Sequence, residues 1–441
     1  MAATSKRLEV LVVGGGIGGL CLAQGLVKAG VGVRVFERDV SSEARLDRYR
    51  LHISPAGSRA LRSCLPDRSW RRLLVGAGAQ GGGFGFLTEQ LATLVVVEDS
   101  VMYPASADPA EQAYPVDRAF LRDVLLDGLG DAVSFGRVFV GYESDGERIR
   151  ACFADGRTEE GNVLVGADGV RSVVRHQFLP GVEPKSTGAA GIGWTVPLEQ
   201  VAAGRLRRLA EGMNMVMAAA PFFLFTSVYR HDYSISDGDY LLCAFVTRQD
   251  TCPPALAGLE GPALRGLVAK QMTNGGWHRA LIKLVCEADP ATFGAFPFEA
   301  IPSASEWAPS RITLLGDAIH PMPPAGGNGA NMALRDAQLL CRQLAQADRG
   351  QLRPVDAIAA YETDMRDYGF AAVRGALRNQ SQGLTANGLA QAGMRGWFRL
   401  SALVPAVRRV GFGHAWADDA RPRPWETVSP AAAATADRAQ V

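Results

Sequence analysis

The 441 residues are 47% hydrophobic and 21% charged, ordinary proportions for a globular chain and enough for two or three domains with sizeable cores. That composition excludes intrinsic disorder, a collagen and a disulfide scaffold. Lys and Arg total 46 against 45 Asp and Glu, and a net charge of +1 without any long basic run argues against a nucleic-acid partner.

The most apolar stretch, residues 215–228, is broken by Pro221 and is too short to span a bilayer, and no apolar signal core follows the first ten residues. The seven cysteines are scattered, with no C-x-x-C pair, and read as small buried hydrophobes. A soluble cytoplasmic protein without a membrane partner is expected.

Residues 8–13 (LEVLVV) are a continuous apolar run ending in glycines, the pattern of a strand buried on both faces. A helix is predicted over 17–29 and a second strand over 31–37, giving a β-α-β unit. Helices follow at 56–65 and 70–75, then a glycine-rich patch at 76–85. Helical pattern returns at 117–129, and the alternation of 133–165, cut by Ser144-Asp145-Gly146 and Asp155-Gly156, predicts antiparallel strands. Between about 183 and 288 the segments GIGWTVPL, MNMVMAAA, FFLFTSVY and DYLLCAFV are strands of a second, sheet-containing domain. A buried strand at 312–315, a Pro/Gly-rich loop at 321–329 and helices at 330–347, 354–378 and 397–410 complete the pattern, and residues from 418 on read as a frayed tail.

Gly14-Gly15-Gly16-Ile17-Gly18-Gly19 is a G-x-G-x-x-G between a predicted strand and a predicted helix. Gly14 permits the tight turn, Gly16 lets a pyrophosphate approach the backbone, and Gly19 lets the helix pack on the sheet. The helix N-terminus offers N–H groups and positive dipole to the anion. Glu37 closes the second strand, where a carboxylate accepts hydrogen bonds from an adenosine ribose. A second match, Gly76 to Gly81, is followed by Gly82, Gly83 and Gly85 where a helix would have to be, so it reads as a helix-ending loop. Further on, Gly166-Ala167-Asp168-Gly169-Val170-Arg171-Ser172 and Gly316-Asp317-Ala318-Ile319-His320-Pro321 each end a strand, and Pro324-Ala325-Gly326-Gly327-Asn328-Gly329-Ala330-Asn331 runs into a helix. Three strand-end turns therefore point at one crevice.

With those motifs in that order, residues 8–375 resemble the class A, single-component FAD-dependent monooxygenases that use NAD(P)H, the aromatic hydroxylase family with the p-hydroxybenzoate hydroxylase fold. The resemblance implies an α/β architecture: a Rossmann-type FAD-binding domain built from 1–75, 104–182 and 290–372, an inserted sheet-containing substrate domain from 76–103 and 183–289, a C-terminal helical segment over 373–417 and a tail from 418. It implies that Glu37 and Arg38 hold the adenosine ribose and that Arg118 contacts the ribityl-pyrophosphate region. Asp168 sits in the cofactor's DG turn and Asp317 hydrogen-bonds the ribityl chain. Gly327, Gly329 and Asn331 then bring N–H groups to the flavin's pyrimidine edge, where negative charge develops on reduction.

The segment SEARLDRYRLHISPAGSRAL is most similar to the tetracycline-inactivating and salicylate- or urate-hydroxylating branches. Arg45 matches an arginine near flavin and nicotinamide, His52 a polar residue touching the cofactor, and Phe139 a position whose backbone meets the adenine. At Arg48-Tyr49-Arg50, where such relatives carry glycine or alanine, the chain departs from the pattern; these residues either alter substrate access or turn outward. The alternating strand 222–229 places Phe223 and Phe225 on one face, either as part of a substrate roof or as plain core.

The implied activity is a monooxygenation: NAD(P)H, a transient reductant without a Rossmann site of its own, reduces FAD, oxygen is activated at the flavin C4a, and one oxygen atom passes to an apolar aromatic or polycyclic small molecule. A related flavoprotein reductase, dehydrogenase or halogenase, or a non-catalytic dinucleotide-binding sensor, are the alternatives. His52, His176, His231, His278, His320 and His414 lack clustered ligand spacing, so no metal is expected, and no Ser/His/Asp or paired-carboxylate constellation assigns a catalytic residue.

Overall fold

The computed structural model describes residues 7–41, 49–79, 81–103, 106–218, 221–231, 238–251 and 256–413. A parallel sheet runs in the order β17 (Ile312–Leu314), β11 (Val163–Gly166), β1 (Glu9–Val13), β2 (Gly32–Phe36) and β7 (Val133–Ser134). Helices cover both faces of its centre, so β11 is buried throughout and β1 in all but Glu9, which explains their unbroken apolar sequences. Between β1 and β2 lies α1 (Ile17–Lys28), buried from Ile17 to Leu26 against α9 (Gly329–Asp348). The predicted antiparallel strands are β8 (Phe139–Ser144), β9 (Ile149–Phe153) and β10 (Thr158–Gly161), turning at Gly146 and Gly156, whose φ values of 93° and 80° favour glycine.

The second unit is a seven-stranded sheet in the order β16 (Gly294–Ala300), β12 (Lys185–Pro197), β15 (Tyr240–Arg248), β14 (Phe222–Tyr229), β13 (Met213–Met217), β4 (Phe84–Thr88) and β5 (Thr93–Val97). One face of β14 packs Phe222, Leu224 and Val228 onto α7 (Gly261–Asn274) and α8 (Arg279–Glu287). The opposite face, carrying Phe223, Phe225 and Ser227, turns toward the first unit.

Between the units runs a ribbon of β3 (Arg50–Ile53) and β6 (Tyr114–Asp117). Around it lie α2 (Pro55–Cys64), α3 (Asp67–Gly76), α4 (Asp99–Met102), α5 (Arg118–Leu126) and, after the DG turn, α6 (Val173–Phe178). Three helices end the described chain: α10 (Pro354–Gly383), α11 (Gly388–Leu403) and α12 (Pro405–Phe412). The single helix expected at 397–410 is in fact two, because Pro405 has no N–H to continue α11 and suits the first position of α12. The helix from 354 continues to Gly383, so the boundary expected at 372/373 falls inside it. The tail from 418 and the sixth histidine, His414, lie outside the described residues. Among the described residues, no helix is long and apolar enough to cross a membrane.

Glu362 of α10 is 2% exposed and accepts a hydrogen bond from Thr313 Oγ1 of β17 at 2.8 Å. Burial pushes its carboxyl from 4.5 up to about 7. Between those values the folded chain keeps a proton that the unfolded chain has released, so this group's contribution to stability is full below the unfolded value and is lost as pH rises through the folded one. Urea unfolding should therefore find Glu362→Gln gaining about 2–3 kcal/mol on the wild type between pH 4.5 and pH 8.

Candidate active site

The register of the parallel sheet sets the site. Val13 pairs with Gly166 and Gly166 with Leu314, so β1, β11 and β17 end level and the three glycine turns open side by side. Hydrogen bonds from Ala167 N to Val13 O and from Leu315 N to Gly166 O carry the ladder to the edge of the turns. This is the carboxyl edge of an open α/β sheet, where ligands bind.

Each fingerprint glycine does separate work. Gly14 has φ +109°, and a side chain there would start 2.3 Å from the Ala167 carbonyl oxygen. A Cβ on Gly18 would lie 2.7 Å from Leu315 Cδ1, and one on Gly19 only 2.2 Å from the Gly14 carbonyl oxygen, so both let α1 sit close to its neighbours. Gly16 differs: nothing lies within 4 Å of its Cβ position, and no side chain caps the start of α1 behind it. Glu37, 6% exposed, accepts from Gly15 N at 2.7 Å and from Asp39 N at 3.0 Å, which leaves each oxygen a further lone pair. Arg38 is exposed beside it.

At the far end of the cleft, Asp317 opens to solvent yet is enclosed by protein on its other sides. That enclosure raises its carboxyl above the usual range, partly offset by the charges of His320 and Arg118. Arg118 begins α5, stacks over the Tyr49 ring at 5.5 Å and donates its backbone N–H to Tyr49 O. Gly326 and Gly327, at φ +123° and +69°, turn the chain into α9, whose start has no side-chain cap. Gly329 is close by, its Cβ position 3.8 Å from Asp317 Oδ1. Thus Gly14, Gly16, Glu37, Arg118, Asp317, Gly327 and Gly329 lie in or beside the turns and helix starts at this edge of the sheet, and α1 and α9 begin there without a side-chain cap. Open space at Gly16, a dipole at each helix start and a carboxylate at each end fit a long diphosphate cofactor bearing ribose and ribityl hydroxyls.

Other expected residues occupy supporting places. Asn331 is fully buried: Oδ1 accepts from Ser54 N at 2.9 Å, and Nδ2 donates to the carbonyls of His52 and Gly327, clamping β3 to the loop before α9. Asp168 takes the Ser172 hydroxyl and the N–H groups of Val173 and Val174, anchoring α6, and burial raises its carboxyl. Phe139 starts β8 with its ring in the core, 6.2 Å from Phe153. His52 lies beside Tyr103, with Nε2 2.5 Å from the phenol oxygen; burial and the Arg50 charge lower its imidazole to about 3, so it is neutral at physiological pH. Phe223 is buried against Gly383 and Leu384, whereas Phe225 is half-buried opposite Met215. Arg45 and Arg48 lie outside the described residues. The match at Gly76 to Gly81 closes α3 and leads into β4, its Gly76 and Gly78 spent on contacts with Phe120 and the Arg230 carbonyl.

Sequence reasoning missed several supports. Arg122, one turn after Arg118 on α5, is 4% exposed and donates from Nε to the Gly15 carbonyl at 3.3 Å; the D-R-x-x-x-R spacing was the available signal. Behind the loop, Asp336 accepts from Gly316 N, from Tyr368 Oη at 2.6 Å and faces His320 Nε2 at 2.7 Å. Burial works against a charge on His320, but the Asp336 carboxylate outweighs it and holds the imidazole above its usual value. Asp336 and Tyr368 sit within helices and give no pattern of their own.

Comparison with known proteins agrees with this geometry. Residues 12–73 match the NAD(P)-binding Rossmann-like domain family and residues 286–376 the FAD binding domain family. A 3-amino-4-hydroxybenzoate 2-monooxygenase of Streptomyces platensis is 30% identical over 370 residues, 81% of this chain and 84% of its own length. A crystal structure of an FAD-containing monooxygenase from Photorhabdus luminescens superposes with a TM-score of 0.76 at 32% identity, covering 86% of this chain and 99% of that one. A dual O-methyltransferase/FAD-dependent monooxygenase of Cercospora beticola is 30% identical over 81% of this chain, but the match spans only 44% of that longer protein. The chain belongs to the FAD-dependent monooxygenases.

Gly16 and Gly19 should respond differently to a side chain. Gly16→Val has room and an extended backbone, at φ −78° and ψ −178°, so the variant should fold with unchanged circular dichroism yet retain little flavin. Gly19→Ala should lose thermal stability first. Asp317→Ala should weaken FAD retention about tenfold, read by flavin absorbance after gel filtration.

Proposed function

We propose that the chain is an NAD(P)H-consuming flavoprotein monooxygenase that hydroxylates or epoxidises an apolar aromatic or polycyclic small molecule. The reading rests on the level ending of β1, β11 and β17, which gathers the GxGxxG, DG and GD turns into one cleft. In this reading residues 1–75, 104–182 and 290–372 carry the cofactor side, and 76–103 with 183–289 carry the substrate side. Gly14, Gly16, Gly18 and Gly19 shape the pyrophosphate turn and Glu37 and Arg38 hold the ribose. Arg118 and Asp317 hold the ribityl-pyrophosphate region. Gly327 and Gly329 present backbone N–H groups to the ring, while Asn331, through its clamp on the loop, keeps those groups in place. Asp168 keeps the DG turn closed beneath them, and His52 lies near the ring.

When bound, FAD takes a hydride equivalent from the nicotinamide and activates molecular oxygen. The protein's own task is to orient the acceptor carbon and to keep water away. The row Phe223, Phe225 and Met215 forms an apolar roof, and Phe398 of α11, stacked on Phe86 at 4.3 Å, extends the dry wall along β4. The neutral His52 adds no charge to that environment.

Turnover under ¹⁸O₂ should place one labelled oxygen atom in the product, checked by mass analysis. Label from H₂¹⁸O, or product formed without oxygen, would return the chain to the reductase or dehydrogenase reading. Phe225→Ala should keep NAD(P)H consumption while lowering the fraction of oxygen transferred about threefold or more, the rest appearing as H₂O₂, because looser orientation slows transfer more than reduction.

A further inference from the structure

The outer face of the C-terminal helices reverses the usual polarity of a protein surface. In α11, Leu389, Gly393, Gly396, Leu400 and Leu403 recur at steps of four and three, which aligns them along one side of the helix. That side faces outward: Leu389 is 87% and Leu403 81% exposed, while Phe398, about half a turn round from Leu400, is buried on the body. Trp397 leans on α12, where a Cβ on Gly411 would lie 2.4 Å from its Cζ2 atom, and Val410 beside that glycine is 69% exposed. Single apolar residues scattered over a surface need no explanation, but an aligned row of them does.

The charge on these helices is of one sign. No Asp or Glu occurs from Tyr368 to Ala417, in a chain that otherwise nearly balances its 46 basic and 45 acidic residues. Of the four arginines in α11 and α12, Arg395 and Arg408 turn toward the body and pair with Glu89 at 2.7 Å and Glu98 at 3.1 Å. Arg399 and Arg409 are exposed, and no carboxylate among the described residues pairs with them. One residue before Leu400, Arg399 stands about 100° round the helix, on the flank of the apolar row. A second copy of the chain fits this face poorly. In a two-fold contact the row would meet itself, bringing Arg399 and Arg409 toward their own copies with no acid in either helix to separate them. The 16 residues of α11 also make only about two heptads, short of the three or four that sustain a coiled coil. An anionic bilayer surface asks for neither a groove nor a matching register: it takes Leu and Trp among its headgroups and arginines at its phosphates. Attachment of this kind needs no spanning helix, so the lack of one among the described residues does not count against it.

We propose that α11 and α12 attach the chain to an anionic lipid surface, with Leu400, Leu403 and Val410 entering the headgroup layer and Arg399 and Arg409 bound to lipid phosphates.

The test floats the full-length, FAD-loaded protein on a density gradient with vesicles of phosphatidylcholine alone and of phosphatidylcholine mixed equally with phosphatidylglycerol. The mixed vesicles should bind about tenfold more tightly than the neutral ones, and added salt should narrow that difference. Replacing both exposed arginines, Arg399→Gln with Arg409→Gln, should weaken binding to the mixed vesicles about tenfold. Leu400→Glu with Leu403→Glu should abolish flotation while flavin content and circular dichroism stay unchanged, whereas Val75→Glu, on an exposed apolar residue of α3, should change flotation by less than about twofold. No flotation of the wild type with mixed vesicles, equal flotation with both kinds, or flotation that survives Leu400→Glu with Leu403→Glu overturns the proposal; the wild-type comparison decides it even if a variant does not fold. A dimer in sedimentation velocity that those substitutions dissolve, with no vesicle binding by the wild type, assigns the face to a second copy and equally overturns it.

Discussion

The carbonyl oxygen of Ala167 lies 2.3 Å from the point at which a side chain on residue 14 would begin, and that single close approach governs the cofactor side of the molecule. Only a glycine, at φ +109°, lets the turn after β1 pass the turn after β11. The Gly14 carbonyl then stands where a Cβ on Gly19 would be, so the second glycine follows from the first, and Gly18 repeats the condition against Leu315 after β17. The three turns are thus packed against one another rather than merely neighbouring, and the cleft they border inherits its shape from backbone contacts that side-chain motion cannot relax. Arg122 and Asp336 hold the same turns from behind by hydrogen bonds to Gly15 and Gly316.

Polar contacts between otherwise separate cores join the two units. Tyr240 of the large sheet donates to Asp117, which also caps α5 just before Arg118, while Arg50 reaches Ser227 and Gln380 bonds the backbone of Thr187. Burial and the adjoining carboxylate hold the Tyr240 phenol well above its ordinary value, so it acts as a donor over the whole physiological range. The start of α5 at Arg118 is therefore tied to the seven-stranded sheet through one shared carboxylate.

The parts legible in the sequence were those whose physics is local in the chain. The GxGxxG was readable because strand, glycines, helix and acid follow within about thirty residues, and the second match was correctly set aside because glycines stand where its helix would begin. By contrast, β3 has four residues alternating Arg, Leu, His and Ile, too short to signal a strand, and β4 emerges from the glycine patch between β5 and, in parallel, β13 from about 130 residues later. Asn331 illustrates a different limit: its place beside the loop was legible, but its amide is committed to Ser54, His52 and Gly327, partners that no spacing reveals. Arg50 could be singled out as unusual, but its reach to Ser227 depends on a contact 177 residues away.

The 30 residues of α10 form a shaft about 45 Å long that touches both sheets. Near its start Tyr361 bonds the Leu314 carbonyl beside the GD turn, and at its end Gly383 makes room for the Phe223 ring. Because each residue of an α-helix advances about 1.5 Å and turns about 100°, inserting or deleting one residue between those anchors would rotate Gly383 away from Phe223 and put a bulkier neighbour in its place. The distance and rotational phase between the two halves are therefore written into a count of residues. Either sheet can exchange side chains in divergence or in chimaeric construction, provided that count is kept.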